Sequence, residues 1–564
     1  MSNKDISRLL RQTADLLLLH GQNEFQARAY QGALRQIESL SEDLTQHTQP
    51  QTIEALGFTP SMAQKIHQTI QENTFPEHQH WLNQTPPGLL DILAVRGLGA
   101  KKVRTIWQTL GIQNLHELLR ACEEGRIAQL KGFGEKTQAN IAEEVKFRQA
   151  QRGRFLYAET EPYADFLEQQ LAQCLSVARY ARAGTLARQL EILEELTWVA
   201  ATHDRTALRN FLDQQEDMRP DAQQSSPFVW RGFFEENRLP VAVYLVAPEQ
   251  FEQQLLLHTA AEAHLAHRPE GQSETLFALA RRRVFATAKD FYAALGWQEV
   301  LPPLREGTFE LVAAQQHSLP TRLIQPEDIR GILHAHSTYS DGKHSLRQMA
   351  TACRDAGYAY LGITDHSQTA AYAGGLKPDD IRRQHDEIDA LNAELAPFRI
   401  FKGIESDILP DGQLDYPDDL LESFDFIIAS VHGNLRMDRQ KATQRILAAI
   451  QNPHTTILGH LTGRLLLKRE GYPLDMEAIL AACQSHGVAI EINAHPQRLD
   501  LDWRWIHEAI RYGIQLSINP DAHQIEGYQH VKYGVLVAQK GGLTPEQTLN
   551  TRDAEQLQAL FGGA

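Results

Sequence analysis

Cysteine is scarce. The 564 residues hold four, Cys122, Cys174, Cys353 and Cys483, widely spaced and without a Cys-x-x-Cys pair. That excludes a disulfide framework and a cysteine-based zinc ribbon. Long apolar runs are missing as well: none approaches the ~18 residues of a membrane span, and the opening MSNKDISRLLRQTADLLLL has no cleavable signal pattern. Positive charge is in deficit, 55 Lys+Arg against 71 Asp+Glu, for a formal net charge of −16. This excludes a histone-like coat but leaves room for a local basic patch, because binding depends on where charge sits. The remaining composition, 42% hydrophobic and 22% charged, excludes a disordered or fibrous chain. We read a soluble, cytoplasmic protein in reducing surroundings, without a membrane partner, and of roughly three to five domains. Nothing in the sequence names a protein partner.

Five segments follow along the chain. Residues 1–88 are helix-rich, with apolar residues at helical spacing (Leu9, Leu10, Ala14, Leu17, Leu18, then Ala27, Ala33, Ile37) and a Pro86-Pro87 stop. Residues 89–155 carry one short pattern twice, Gly97-Leu98-Gly99-Ala100-Lys101-Lys102 and Gly132-Phe133-Gly134-Glu135-Lys136-Thr137. Glycines there allow a tight turn whose N–H groups, with the next helix start, face a phosphate, and the following lysines supply counter-charge. Between Asp91 and Arg154 stand 12 Lys/Arg against 7 Asp/Glu, a basic island in an acidic chain. The pattern resembles the helix-hairpin-helix, a sequence-independent DNA backbone clamp, and the resemblance makes Gly97, Gly99, Lys101, Lys102, Gly132, Gly134 and Lys136 the candidate DNA contacts. A shorter version at Leu56-Gly57-Phe58-Thr59 lacks the second glycine and is left out of that set. Residues 156–305 alternate apolar runs (LTWVAAT, PVAVYLVA) with helical stretches, as in an α+β domain. Residues 306–330, after Pro302-Pro303, read as an extended linker.

From 331 to 564 seven strand-like runs alternate with helical segments: GILHAH, YLGITDH, RIFKGIE, FDFIIASVH, TTILGH, VAIEIN and IQLSINPDAH. That alternation predicts parallel strands closing into a (βα)7 barrel. Their ends carry His334 and His336, His366, Glu405, His432, His460, Asn493, and Asp521 with His523. All C-terminal strand ends of such a barrel meet on one face. Imidazole and carboxylate are ligands for zinc, manganese or iron, and His334 and His336, two apart, share a strand face. A cluster of this kind activates water and clamps phosphate oxygens.

HAHSTYSDG, TDHS, GIESDIL, SVHG, GHLTGR and NPDAH resemble, in order, the motifs of the polymerase-and-histidinol-phosphatase (PHP) domain. The resemblance implies three divalent ions, manganese or zinc with iron as a further choice: one on His334, His336, Glu405 and Asp521, the catalytic group; a second on Glu405, His432 and His460; a third on Asp341, His366 and His523. Arg464 and Arg498 are candidate phosphate contacts. With FQARAYQGALRQI, the hairpins and LGWQEVLPPLREG ahead of the barrel, the whole chain resembles the bacterial PolX-type family X DNA polymerases. The implied fold is multidomain: α-helical N-terminal and helix-hairpin-helix domains, an α+β polymerase-like palm, and the PHP barrel.

One departure stands out. The palm motif of that family, a GSxRR-type sequence followed by an Asp-x-Asp pair and a third Asp, reads here Gly184-Thr185-Leu186-Ala187-Arg188, Glu195-Leu196-Thr197 and Ala242, and its TGS reads Thr259-Ala260-Ala261. No Asp-x-Asp occurs between 160 and 300. Two magnesium ions require several carboxylate oxygens. The leading expectation is a metal-dependent 3′-5′ exonuclease of DNA repair with an inactive polymerase core. An active gap-filling polymerase, a small-molecule phosphatase and a non-catalytic DNA-binding scaffold stand as alternatives.

Overall fold

Apolar residues at 3.6-residue spacing form helices along the N-terminal part of the chain. The computed structural model describes residues 1–40, 42–47 and 49–562, and they separate into two compact units, Met1–Arg152 and the residues from Gly153 on. In the first unit, α1 (Asn3–Leu19) starts at a Ser2–Asp5 capping box, which satisfies the free N–H groups of its first turn. Its Ile6, Leu10, Ala14 and Leu17 pack with Tyr30 and Ile37 of α2 (Glu24–Ser39). Leu16 and Leu19 of the same helix join a different core with Leu89, Val103, Ile106 and Ile141. One helix therefore serves both cores.

In the second unit, beside a short antiparallel pairing of Phe155–Leu156 with Ile192–Leu193, a five-stranded sheet is built from β1 (Val177–Ala183), β2 (Leu196–Thr202), β3 (Met218–Pro220), β4 (Val229–Phe234) and β5 (Pro240–Val246), in the spatial order β1-β2-β5-β4-β3. β2 and β5 run parallel, with Thr197 beside Ala242. The unbroken run LTWVAAT is buried along its whole length, as a central strand requires.

Residues 306–330 do not form an extended linker. They contain a helix, Phe309–Gln315, whose Leu311 and Ala314 join Tyr292, Trp297 and Leu319 in a local core. The Pro-Pro pair bends the chain into a 3-10 turn, Pro302–Leu304, and the apolar spacing of FELVAAQ then takes over.

The barrel strands are β6 (Gly331–Ile332), β7 (Tyr360–Ile363), β8 (Arg399–Asp407), β9 (Phe426–Ser430), β10 (Ile457–Leu458), β11 (Ala489–Asn493) and β12 (Leu516–Asn519), neighbours in chain order and all parallel. Closure between β6 and β12 is nearly complete. Ala335 and Ala522 form a parallel bridge beyond the strand ends. The Asn550 amide fills the rest of the seam, donating to Gly331 O and Asn519 Oδ1 at 3.0 Å and accepting from Ile518 N at 2.7 Å. A single contiguous core runs from Trp198 and Trp230 through Ile324 and Ile329 to Ile332, Ile404 and Ile490 of the barrel. Among the described residues no helix is long and apolar enough to cross a membrane.

Candidate metal centre

Parallel strands present all their C-terminal ends on one rim. His334 and His336 follow β6, His366 follows β7, Glu405 lies near the end of β8, His432 and His460 stand two residues past β9 and β10, and Asp521 and His523 follow β12. All nine residues expected from the sequence converge there, Asp341 arriving on the loop after β6. Glu405 is the hub. Its Oε1 lies 2.9 Å from His460 Nε2, 3.1 Å from His432 Nε2 and 3.5 Å from His334 Nε2, and its Oε2 lies 3.0 Å from His366 Nδ1. Asp521 Oδ1 is 3.2 Å from His336 Nε2 and 3.5 Å from His334 Nε2. Asp341 Oδ1 is 3.3 Å from His523 Nε2 and 3.6 Å from His366 Nε2. Asp521 (φ 52°) and His460 (φ 24°) hold left-handed backbone, a strain that tends to collect at working sites.

Ligand atoms within 4.8 Å of one another form three sets: His336, Asp341, His366 and His523; His334, His336 and Asp521; His366, Glu405 and His432. The sets overlap through His336 and His366 more than the three implied by resemblance.

Burial and charge divide these groups. Burial works against a charged His334, but the carboxylates of Glu491, Asp521 and Glu405 outweigh it and hold its pKa well above the ordinary value. The same contest raises His432 to about 10, through Glu405 and Asp407, and His523 to about 9, through Asp341 and Asp521. Burial, with His523 and His366 beside it, pushes His336 down to about 3. His460 is lowered by burial and by Arg498. Glu405 and Asp521 stay well below the carboxylate range although burial opposes this, because imidazoles surround them.

The donor set fits divalent cations. His334 Nε2, His336 Nδ1, His366 Nδ1, His460 Nδ1 and Glu405 Oε2 are buried and make no hydrogen bond of acceptable geometry. An unsatisfied buried polar atom costs about 1–3 kcal/mol, so five on one rim call for a cation. Oxygen and imidazole donors without sulfur suit manganese, iron or zinc.

A supporting layer, of which the sequence marked Asn493 at a strand end, otherwise escaped the sequence reading. Glu491 is buried on β11, accepts from His334 Nδ1 at 2.6 Å and from His460 N at 2.8 Å, and so orients two of the rim histidines. Asp407 lies 3.2 Å from His432 Nδ1. Asn493 Nδ2 donates to Asp521 Oδ2 at 3.1 Å. Glu491 and Asn493 are polar residues at alternate positions of an apolar strand, which was the available signal.

The two arginines differ. Arg498 Nε stands 3.6 Å from Asp521 Oδ2, at the rim. Arg464 is occupied elsewhere: it pairs with Asp502 and donates to the carbonyls of Arg498 and Leu499.

In the first unit, Gly97 and Gly132 hold left-handed backbone (φ 88° and 87°), Leu98 and Phe133 plug the core, and Gly99 and Gly134 cap α3 (Ala100–Leu110) and α4 (Glu135–Ala150). A Cβ built at any of the four glycines meets nothing within 4 Å, so this backbone faces open space. Lys101 pairs with Glu24, and Lys102 donates to Gly97 O at 3.3 Å. The discounted Gly57 turn has the same build: φ 95°, a buried Phe58, and a Thr59 hydroxyl capping the helix Pro60–Glu72 in place of the second glycine.

In the sheet, Thr197 and Ala242 are lateral neighbours, and Glu195 is taken up in an ion pair with Arg231. Arg188 is engaged by Glu306 at 3.0 Å and by Thr259 O at 3.1 Å.

Residues 1–75 match the helix-hairpin-helix domain family, residues 89–146 the SAM-like helix-hairpin-helix tandem, and residues 333–495 the PHP domain. The chain is 33% identical over 571 residues to the DNA polymerase/3′-5′ exonuclease PolX of Bacillus subtilis (strain 168), covering 100% of this chain and 99% of that one. A probable phosphatase of Thermoanaerobacter sp. (strain X514) is 25% identical over 233 residues, 39% of this chain and 90% of its own. A probable phosphatase of Syntrophotalea carbinolica is 28% identical over 230 residues, with the same two shares, 39% and 90%.

Proposed function

The chain belongs to the PolX family of DNA polymerase/3′-5′ exonucleases, and from that premise we propose that it is a cytoplasmic, divalent-metal-dependent phosphodiesterase that removes nucleotides from the 3′ end of DNA during repair. The observation that carries this reading is the rim itself: six histidines and three carboxylates with five unsatisfied buried atoms among them. Three ions, manganese or zinc with iron as a further choice, would be held by His334, His336, Glu405 and Asp521; by Glu405, His432 and His460; and by Asp341, His366 and His523. Bound there, they would supply a nucleophile from water at neutral pH and offset charge on the phosphate.

The chain's own groups do the positioning. Glu491 fixes the His334 ring through Nδ1 and leaves Nε2 facing the rim. Asp407 does the same for His432. Arg498 meets a phosphate oxygen, and Arg464 acts at one remove, holding the backbone that carries Arg498. Gly97, Gly99, Gly132 and Gly134, with Lys101, Lys102 and Lys136, grip the DNA backbone without reading bases.

The sheet β1–β5 is a retained palm without nucleotidyl transfer. Support comes from Thr197 beside Ala242 and from the Glu195–Arg231 pair, which together leave too few carboxylate oxygens for two metals. The alignment over the whole chain favours a second reading, a gap-filling polymerase. One experiment separates them: purified protein with 3′- and 5′-labelled gapped DNA, with and without manganese, chelator and dNTPs. Stepwise shortening from the 3′ end that chelator stops, without extension, is the expected result. Absence of metal-dependent shortening overturns the exonuclease reading, and extension overturns the inactive palm.

A further inference from the structure

Tyr372 stands at the mouth of the metal centre, 75% exposed, on the 3-10 turn Ala371–Ala373 that follows the ligand His366. Its ring centroid is 6.3 Å from that of His366, and its hydroxyl lies in the field of Asp407, Glu405, Asp341 and Arg498. An exposed aromatic is unremarkable on a loose loop, but this loop is pinned throughout. Ala370, Ala373 and Leu376 are buried. Thr369 N donates to Asp415 Oδ2 at 2.6 Å, and Gln368 Nε2 to Asp415 O at 3.0 Å. Tyr416 accepts from Gln368 N at 3.1 Å and donates to Leu376 O at 2.5 Å, tying the two ends of the loop together. At Gly375 a Cβ would fall 1.9 Å from Ser367 O, so the loop closes too tightly there for any side chain. The fold thus anchors the backbone beneath a ring that stands in solvent beside the cluster.

We propose that Tyr372 is the stacking platform for the base of the 3′-terminal nucleotide, a specificity residue for the reaction rather than a ligand. This rests on the exonuclease reading. A strand whose last phosphodiester lies on the rim carries its terminal base outward, and an aromatic face accepts any base without hydrogen-bond readout. The enzyme would thereby prefer an intact, unpaired terminal nucleoside to one that has lost its base.

The test uses the full chain with manganese and two oligonucleotides, one ending in a normal 3′ nucleotide and one in a 3′ tetrahydrofuran abasic residue. Tyr372→Ala is expected to raise KM about tenfold on the normal end with kcat unchanged, and to match wild type on the abasic end. Tyr372→Phe should retain wild-type KM. Equal losses on both ends, or no loss on the normal end, overturn the proposal. A 3′-terminal 2-aminopurine joined through a methylene phosphonate, in which carbon replaces the bridging oxygen that would leave, reads stacking without turnover: wild type and Tyr372→Phe quench it, Tyr372→Ala does not. Quenching by a wild type that fails to hydrolyse DNA would overturn the exonuclease reading alone. Hydrolysis without a quenching difference would overturn the stacking platform alone.

Discussion

The barrel rim and the palm sheet set the same chemical problem, carboxylates converging from parallel strands, and answer it oppositely. On the rim nearly every strand end is polar, and a second layer of acids orients the first. In the palm the lateral neighbours are Thr197 and Ala242, and the remaining acid is neutralised by Arg231. Yet the palm core is as well kept as the barrel core, with Trp198, Val199, Ala200 and Trp230 at 0% exposure. Its present contribution is legible in its contacts with the barrel. Glu191 accepts from Trp503 Nε1 at 3.1 Å and Arg504 at 3.2 Å. Lys540, whose side chain is 0% exposed, places its ammonium on Glu306 at 2.6 Å and on Arg188 O at 2.8 Å. A sheet is held under structural constraint whether or not it carries metal ligands, because packing and chemistry load different residues.

The sharpest way to test this contrast is on the rim. Replacing His334 and His336 together by alanine should lower DNA hydrolysis by at least about a thousandfold, with DNA affinity unchanged, as read by labelled-oligonucleotide digestion beside gel-shift binding. Wild-type digestion by that variant would remove the barrel from the mechanism. Glu491→Gln, which keeps the shape and takes away the charge behind His334, should cost about 10–100-fold and weaken metal retention, measured by competition with a chelator.

The palm–barrel contacts make a smaller, structural prediction. Glu306→Gln leaves the buried Lys540 ammonium and Arg188 without their carboxylate. Breaking such a pair on one side costs about 3 kcal/mol, so urea unfolding of residues 153–564 should shift to a lower midpoint, and the Glu306→Gln, Lys540→Met double variant should recover part of the loss. Equal stability in all three proteins would mean that the Glu306–Lys540 pair adds nothing to the seating of the palm on the barrel, which then rests on apolar packing and on Glu191 with Trp503 and Arg504. On the DNA side, Lys101, Lys102 and Lys136 to glutamate should weaken binding of every sequence about equally and flatten its salt dependence, since fewer counterions are released. Unchanged affinity would return the hairpins to simple turns.

The rim could be read in the sequence because histidine at the end of an apolar run is conspicuous and a parallel barrel gathers such ends. What lay out of reach depended on contacts between distant segments. Glu491 sits inside AIEIN, where it looks like one polar residue in a strand, and its partner His334 lies 157 positions away. Arg464 meets Asp502 across 38 positions, so its engagement could not be anticipated from GHLTGR. The linker helix was hidden by Pro302-Pro303, which signals extension while the next segment signals a helix. The Gly57 hairpin was hidden because a threonine hydroxyl does the capping that glycine leaves to the backbone. In each case the local signal was sound, and a second signal or a distant partner decided the outcome.

The palm yields the smallest expected effect, which is none. Primer extension requires one metal at the 3′ hydroxyl and one on the triphosphate. With Glu195 paired to Arg231 and no carboxylate at positions 197 and 242, the inactive palm proposed above would leave both metals short of ligands. In a background carrying His334→Ala and His336→Ala, so that product is not degraded, a gapped substrate with magnesium or manganese should show no extension, and Glu195→Gln should change nothing. Introducing Asp at 195, 197 and 242 tests the same point from the other side. If the sheet is still a competent scaffold the triple variant acquires metal-dependent nucleotide binding, detectable by calorimetry before any extension is seen. Gly184 limits how far this can go, because its Cβ position lies 2.9 Å from Thr197 Oγ1 and the turn there is already close-packed against the strand. Extension by the unmodified palm that disappears with Glu195→Gln would mean that the Glu195–Arg231 pair opens in the presence of nucleotide, and that the contrast between rim and palm is one of occupancy rather than of lost chemistry.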